Sequence, residues 1–163
     1  MKLSTPRFAF TGIFVACLVL IAYALFLQHA QALEPCPMCI LQRYVFILIG
    51  MVALVAAAVN ARRLVLTILS GAIVVLSLAG AGVAIRHSWL QHFPNPSQNC
   101  GAELSYLLEL PLSSGLPAIF RGTGDCSAVQ WTMLGLSIPE WALVWFVMFA
   151  VVGVMLIGRS RQK

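Results

Sequence analysis

Four of the five cysteines stand in polar connecting segments between long apolar runs: Cys36 and Cys39 in Pro35-Cys36-Pro37-Met38-Cys39, and Cys100 and Cys126 further along. A cysteine in a packed core behaves as a small hydrophobe, whereas thiols gathered outside apolar runs are placed for redox or metal chemistry. Proline is favoured at the first position of a helix, where its missing N–H would have had no partner. Cys36 is therefore expected to cap a helix and Cys39 to lie in its first turn. The unpaired N–H groups and the positive dipole end there favour the thiolate, the reactive form of cysteine. Arg43 follows Cys39 by four residues and shares its helix face. Its fixed charge suits a thiolate or a reduced, anionic acceptor. His87 falls at the outer end of the third apolar run, where it can hydrogen-bond a carbonyl oxygen or carry protons.

Cys100 and Cys126 are too far apart for a redox C-x-x-C. They suit a loop-closing disulfide, flanked by turn-forming Asn99 and Gly101 on one side and Gly124 and Asp125 on the other. A structural staple of an oxidising compartment and a four-cysteine zinc site are the alternatives. The second pair does not have the close spacing of a zinc ribbon, so no metal site is expected. Cys17, inside the first apolar run, is expected to pack.

These thiols must be held by membrane-spanning elements. The chain is 61% hydrophobic and 9% charged, against roughly 25% charged in an ordinary soluble domain. Four apolar runs, at about 8–27, 41–59, 64–85 and 141–158, approach the roughly twenty residues needed to cross a hydrocarbon core. Backbone groups in lipid must be satisfied within the segment, so the runs are helices. The expected fold is an all-α integral membrane protein, one domain over 1–163, built as a four-transmembrane-helix bundle with outer loops at about 28–40 and 87–140. Small residues on the second and third runs, Gly50, Ala53, Ala57, Gly71, Ser77 and Gly82, are expected to let helices approach closely.

Lys2 and Arg7, then Arg62 and Arg63, then Arg159, Arg161 and Lys163 mark three segments as cytoplasmic by the positive-inside rule. Both termini then face the cytoplasm and both cysteine loops face outward. The net charge of +5 is accounted for by the inner leaflet and calls for no nucleic-acid partner. Ala30-Gln31-Ala32 imitates a signal-peptide cleavage site, but the apolar core before it exceeds the usual 7–15 residues, so a retained first span is expected. Prolines break the long loop into short pieces: 103–110 is a candidate short helix, and the apolar 116–120 is expected to rest on the membrane interface.

The order of these features resembles one family. Four spans, Cys36-x-x-Cys39 followed by Arg43, His87 before Pro94-x-Pro96, then Cys100, and Gly124-Asp125-Cys126 with Gln130-Trp131 are similar to the DsbB family of quinone-dependent disulfide-forming membrane proteins. The resemblance covers nearly the whole chain. It implies a multi-pass enzyme of the bacterial inner membrane that reoxidises a periplasmic thioredoxin-fold dithiol oxidase similar to DsbA and passes the electrons to ubiquinone or menaquinone. It further implies that Cys100 and Cys126 face the protein partner, with Cys100 in the mixed disulfide, and that Cys39 meets the quinone. Arg43, His87 and, more weakly, Gln91 match quinone-associated positions. Ser113-Ser114-Gly115 departs from the membrane-lying helix the family's loop is expected to make. The competing reading is a membrane scaffold or metal-binding protein with structural cysteines.

Overall fold

A computed structural model describes residues 4–30, 36–59, 63–93, 129 and 131–161. Its helices are α1 (Ser4–Ala30), α2 (Pro37–Ala58), α3 (Arg63–His92) and α4 (Ile138–Arg161), and a short hairpin of β1 (Thr132–Met133) and β2 (Leu136–Ser137) leads into α4. All four helices are long and apolar enough to cross a membrane, as the sequence predicts. The third runs further than its apolar stretch implies, ending at His92 rather than near 85. At about 1.5 Å per residue it measures about 45 Å, more than the hydrocarbon core needs. His87 therefore sits inside a helix, not at its end. The predicted pieces 103–110, 113–115 and 116–120 lie outside the described residues.

Chain neighbours pack together, with α3 against α4, α1 against α2, and α2 against α3, while α1 and α4 barely touch. Lipid tails are as apolar as the side chains, so the helices are held by close fit. Phe46 of α2 stacks on Phe146 of α4 with ring centroids 4.2 Å apart, and Phe149 meets Phe46 edge-on at 6.3 Å. Cys17 is buried in this core, and a Cβ on Gly50 would stand 3.3 Å from the Cys17 Cβ. Packing explains that cysteine fully.

Of the small residues the pattern marked, Gly50 is a close approach, against Cys17, and Ala53 and Ser77 are fully buried, but the tightest approaches fall at two glycines it did not mark. Among the described residues nothing presses on Gly71 or Gly82, whereas a Cβ on Gly80 would meet the Phe146 ring at 2.5 Å and one on Gly153 would meet Val74 at 2.7 Å. A stripe of small residues shows that a face is smooth; which partner presses on it depends on the neighbour. Phe146 is fully buried and already stacked, so its ring cannot yield to a methyl group. Gly80→Ala is expected to cost about 1–3 kcal/mol through overpacking of the α3–α4 seam. Gly82→Ala is expected to be neutral or to stabilise by up to about 1 kcal/mol through helix propensity. Thermal unfolding of both variants in detergent checks the contrast; equal midpoints would contradict it.

The hairpin is an addition to the all-α expectation. Thr132 pairs with Ser137 and Met133 with Leu136. Leu134 and Gly135 at its tip both have positive φ, 55° and 81°, the backbone sense that matches the twist of two-residue hairpins. Ser137 precedes α4 and is held by its first turn, its backbone N–H and Oγ donating to Glu140 Oε2 at 2.6 and 3.0 Å, the glutamate half of a capping box. Trp141 Nε1 donates to the Met133 carbonyl at 3.1 Å, and Glu140 Oε1 lies 3.8 Å from His92 Nε2 at the end of α3. These contacts hold the hairpin against the mouth of the bundle.

Candidate functional site

The start of α2 builds the thiol pair. Cys36 is the N-cap, with extended φ/ψ of −69° and 160°, and Pro37 follows as the first helical residue. The Cys36 sulfur accepts from the Cys39 backbone N–H at 3.3 Å, and the Ile40 N–H donates to the Cys36 carbonyl at 3.1 Å. Sulfur thus takes the place usually held by a serine or aspartate oxygen, and an ionised sulfur fills it best. The two Sγ atoms are 2.9 Å apart. Cys36 is buried and Cys39 half-buried, so the pair has an inner and an outer member.

The inner sulfur faces α3. His87, 2% exposed, places Nε2 at 3.6 Å from Cys36 Sγ. Its other nitrogen, Nδ1, lies 3.4 Å from Nε2 of the buried Gln42. With the amide donating to Nδ1, the ring proton resides on Nε2 and is aimed at the sulfur. Two donors, the Cys39 backbone and His87, therefore converge on Cys36.

The outer sulfur faces a cavity of about 300 Å³, lined by α1, α2, the hairpin and α4. It exists because α1 and α4 barely meet. Phe46, Trp131, Trp141 and Trp145 supply aromatic walls, and Gln28, Cys39, Gln42 and Arg43 supply polar groups. Tyr23 meets Trp131 edge-on at 6.0 Å, fixing the indole across the cavity. Arg43 is the one charged side chain among the described residues of this lining. Its Nη1 donates to Gln28 Oε1 at 2.6 Å and its Nη2 to the Ala24 carbonyl at 3.3 Å. The guanidinium thus leans on α1 and shares the cavity, rather than a hydrogen bond, with Cys39.

Of the residues singled out by sequence, Cys39 and Arg43 meet on this cavity, and Cys36 and His87 meet behind it. Neither His87 nor Gln91 is part of the lining. The reason is topological: α2 lies between α1 and α3, so α3 reaches the thiols from the far side. The Gln91 Oε1 is buried with no hydrogen-bond partner among the described residues. His29 and His92 each donate from Nδ1 to a carbonyl one turn back, at 2.9 Å in both cases. Cys100, Cys126, Gly124, Asp125 and Gln130 lie outside the described residues.

Gln42 and Gln28 are the functional candidates that sequence reasoning passes over. Gln42 had a signal, since it follows Cys39 by three residues and falls on the same face. It both lines the cavity and bonds His87. Gln28 had a weaker one, as a polar residue just past the end of an apolar run.

Known proteins match this chain along almost its full length. The family described as disulfide bond formation protein DsbB matches residues 6–156. The chain is 46% identical over 158 residues to a disulfide bond formation protein B of Aromatoleum aromaticum, covering 96% of this chain and 95% of that one. It is 46% identical over 155 residues to one of Azoarcus sp. (94% and 93% covered) and 45% identical over 160 residues to one of Polaromonas sp. (97% and 95% covered).

Proposed function

The chain belongs to the DsbB family, a membrane disulfide oxidoreductase with four spans, and on that premise we propose that it passes electrons from a periplasmic dithiol protein to a membrane quinone. The observation that carries this reading is the pairing of an inner and an outer thiol at 2.9 Å, the outer one opening on an apolar cavity. The membrane is taken as the bacterial inner membrane, with both cysteine loops on the periplasmic side, as the positive-inside pattern supports. The protein partner is a thioredoxin-fold oxidase similar to DsbA, since DsbA, DsbB and quinone act in series to keep a bacterial periplasm oxidising.

The proposed relay balances at each exchange. A Cys100–Cys126 disulfide takes two electrons from the partner's dithiol through a mixed disulfide at Cys100, and the partner leaves oxidised. Cys100 and Cys126, now a dithiol, reduce a Cys36–Cys39 disulfide and return to their own. The Cys36–Cys39 dithiol then loses two electrons and two protons. A quinone bound in the cavity supplies the acceptor for both. Aromatic walls with a few polar groups among them suit an apolar ring that carries carbonyl oxygens. Ubiquinone and menaquinone share that chemistry.

The chain's own residues divide the work. Cys39 presents its sulfur to the cavity, and Arg43 offers N–H donors and positive charge where negative charge develops. His87 holds a proton at Nε2 beside Cys36 Sγ and moves it as that sulfur changes between thiol, thiolate and disulfide. Gln42 fixes the ring that does so. Gln91 has no such place, and we assign it none.

The test mixes purified protein with a reduced thioredoxin-fold periplasmic oxidase and either quinone, and follows quinone absorbance. One quinone is expected to be reduced for each partner dithiol oxidised. Partner oxidation without quinone reduction, or neither, would refute the reading.

A further inference from the structure

The sequence argued against zinc from the spacing of four cysteines, but the fold supplies a different third ligand. Cys36 Sγ, Cys39 Sγ and a ring nitrogen of His87 all lie within 4.8 Å of one another, on two separate helices. We infer that this triad, once reduced, binds a thiophilic divalent cation of the zinc or cadmium type, with two thiolates and one imidazole as ligands.

The distances support it. Tetrahedral zinc holds sulfur at about 2.3 Å and nitrogen at about 2.0–2.1 Å, which sets ligand separations of about 3.8 Å between sulfurs and about 3.5 Å between sulfur and nitrogen. Cys36 Sγ and His87 Nε2, 3.6 Å apart, already have the second separation. The sulfurs, 2.9 Å apart, must part by about 0.9 Å to reach the first. Like charges repel, so ionising both thiols pushes in that direction. Cys39 lies on the cavity wall, which leaves a fourth position for water, the arrangement of three-ligand zinc sites.

Charge and orientation agree with the distances. Two thiolates and a divalent cation are neutral together, whereas a doubly ionised dithiol would hold two uncompensated charges in an apolar setting. A glutamine amide carries both a donor and an acceptor. Turned over, Gln42 accepts from Nδ1–H, and Nε2 then presents its lone pair to the metal, the usual support for a ligating histidine. Binding releases two thiol protons and moves no electrons. The disulfide form has no thiolates and takes no metal, so occupancy would hold the pair in its reduced state. Metal binding stands on the geometry alone; arrest of turnover rests on the proposed redox role of Cys36 and Cys39.

The experiment uses the full chain carrying Cys100→Ser and Cys126→Ser, so that the other cysteine pair cannot compete. Reduced protein in detergent is titrated with cadmium, reading thiolate-to-metal charge-transfer absorbance, and zinc is then added to displace it. One cadmium per chain is expected when reduced and none after oxidation. His87→Ala is expected to weaken binding by about tenfold or more, and Gln42→Glu, which can only accept from Nδ1–H, to tighten it by about tenfold. Thermal unfolding shows that each variant is folded. Absence of stoichiometric binding by the folded, reduced chain, or an affinity that neither substitution moves, would overturn the inference. The titration needs neither quinone nor partner, so its failure and a failure of the electron-transfer assay are separate results.

Discussion

Cys39→Ser is expected to reduce quinone turnover by at least about a thousandfold, the scale on which loss of a reacting nucleophile is felt. A serine hydroxyl cannot form or release the bond to Cys36, so the two electrons have no exit at the cavity. The effect should not come from misfolding. Cys39 is half-buried, its structural contribution to the cap is the backbone N–H to Cys36 Sγ, and serine keeps that group, so stability should stay within about 1 kcal/mol. Exchange with the partner uses Cys100 and Cys126 in the proposed relay, so mixed disulfides with the partner should still form and be visible on non-reducing gels. Cys36→Ser should lose turnover equally, since its hydroxyl can still accept from His87 and from the Cys39 N–H but cannot form a disulfide. Undiminished quinone reduction in either variant would end the two-pair mechanism. Loss of the mixed disulfide as well would mean that the two cysteine pairs do not have separate jobs.

Much of this arrangement was readable in the chain because it depends on local rules. Proline after Cys36 sets a helix start, a four-residue offset sets the face of Arg43, and long apolar runs in lipid must be helices. Each rule needs only a few neighbouring residues. What the sequence could not show depends on which helix lies beside which. His87 was expected at the mouth with Arg43, yet α2 stands between α1 and α3, so the histidine serves the inner sulfur and the arginine lines the outer cavity. The glycines illustrate the same limit: Gly80 and Gly82 look alike in sequence, but among the described residues a phenylalanine ring presses on one and nothing on the other. The hairpin was hidden for another reason. Two residues per strand are too few to show alternation, and a leucine at positive φ carries no turn signal.

Arg43→Met is expected to lower turnover with quinone by roughly 10²–10³-fold, as for removal of one donor aimed at developing charge. Methionine keeps much of the stem and takes away the charge, exchanging a cation that is costly near lipid for the loss of one partner at Gln28 Oε1, while the Ala24 carbonyl keeps its place in the α1 ladder, so the fold should survive. The loss should fall mainly on kcat, because charge develops only as electrons arrive; a rise in KM alone would mark Arg43 as a binding group. Arg43→Lys separates charge from shape. Lysine retains the cation but cannot reach both Gln28 Oε1 and the Ala24 carbonyl with a planar fork, so its charge is poorly aimed, and an intermediate loss of about tenfold is expected. Gln28→Leu should reproduce part of that loss with Arg43 intact, since the guanidinium then keeps one of its two partners on α1. If Arg43→Met turns over within twofold of the unmodified chain, the arginine is an interfacial anchor, and the polar lining of the cavity reduces to Cys39 and the two glutamines. The order Met below Lys below Gln28→Leu would instead show that a positive charge is needed at the cavity and that α1 holds it in position.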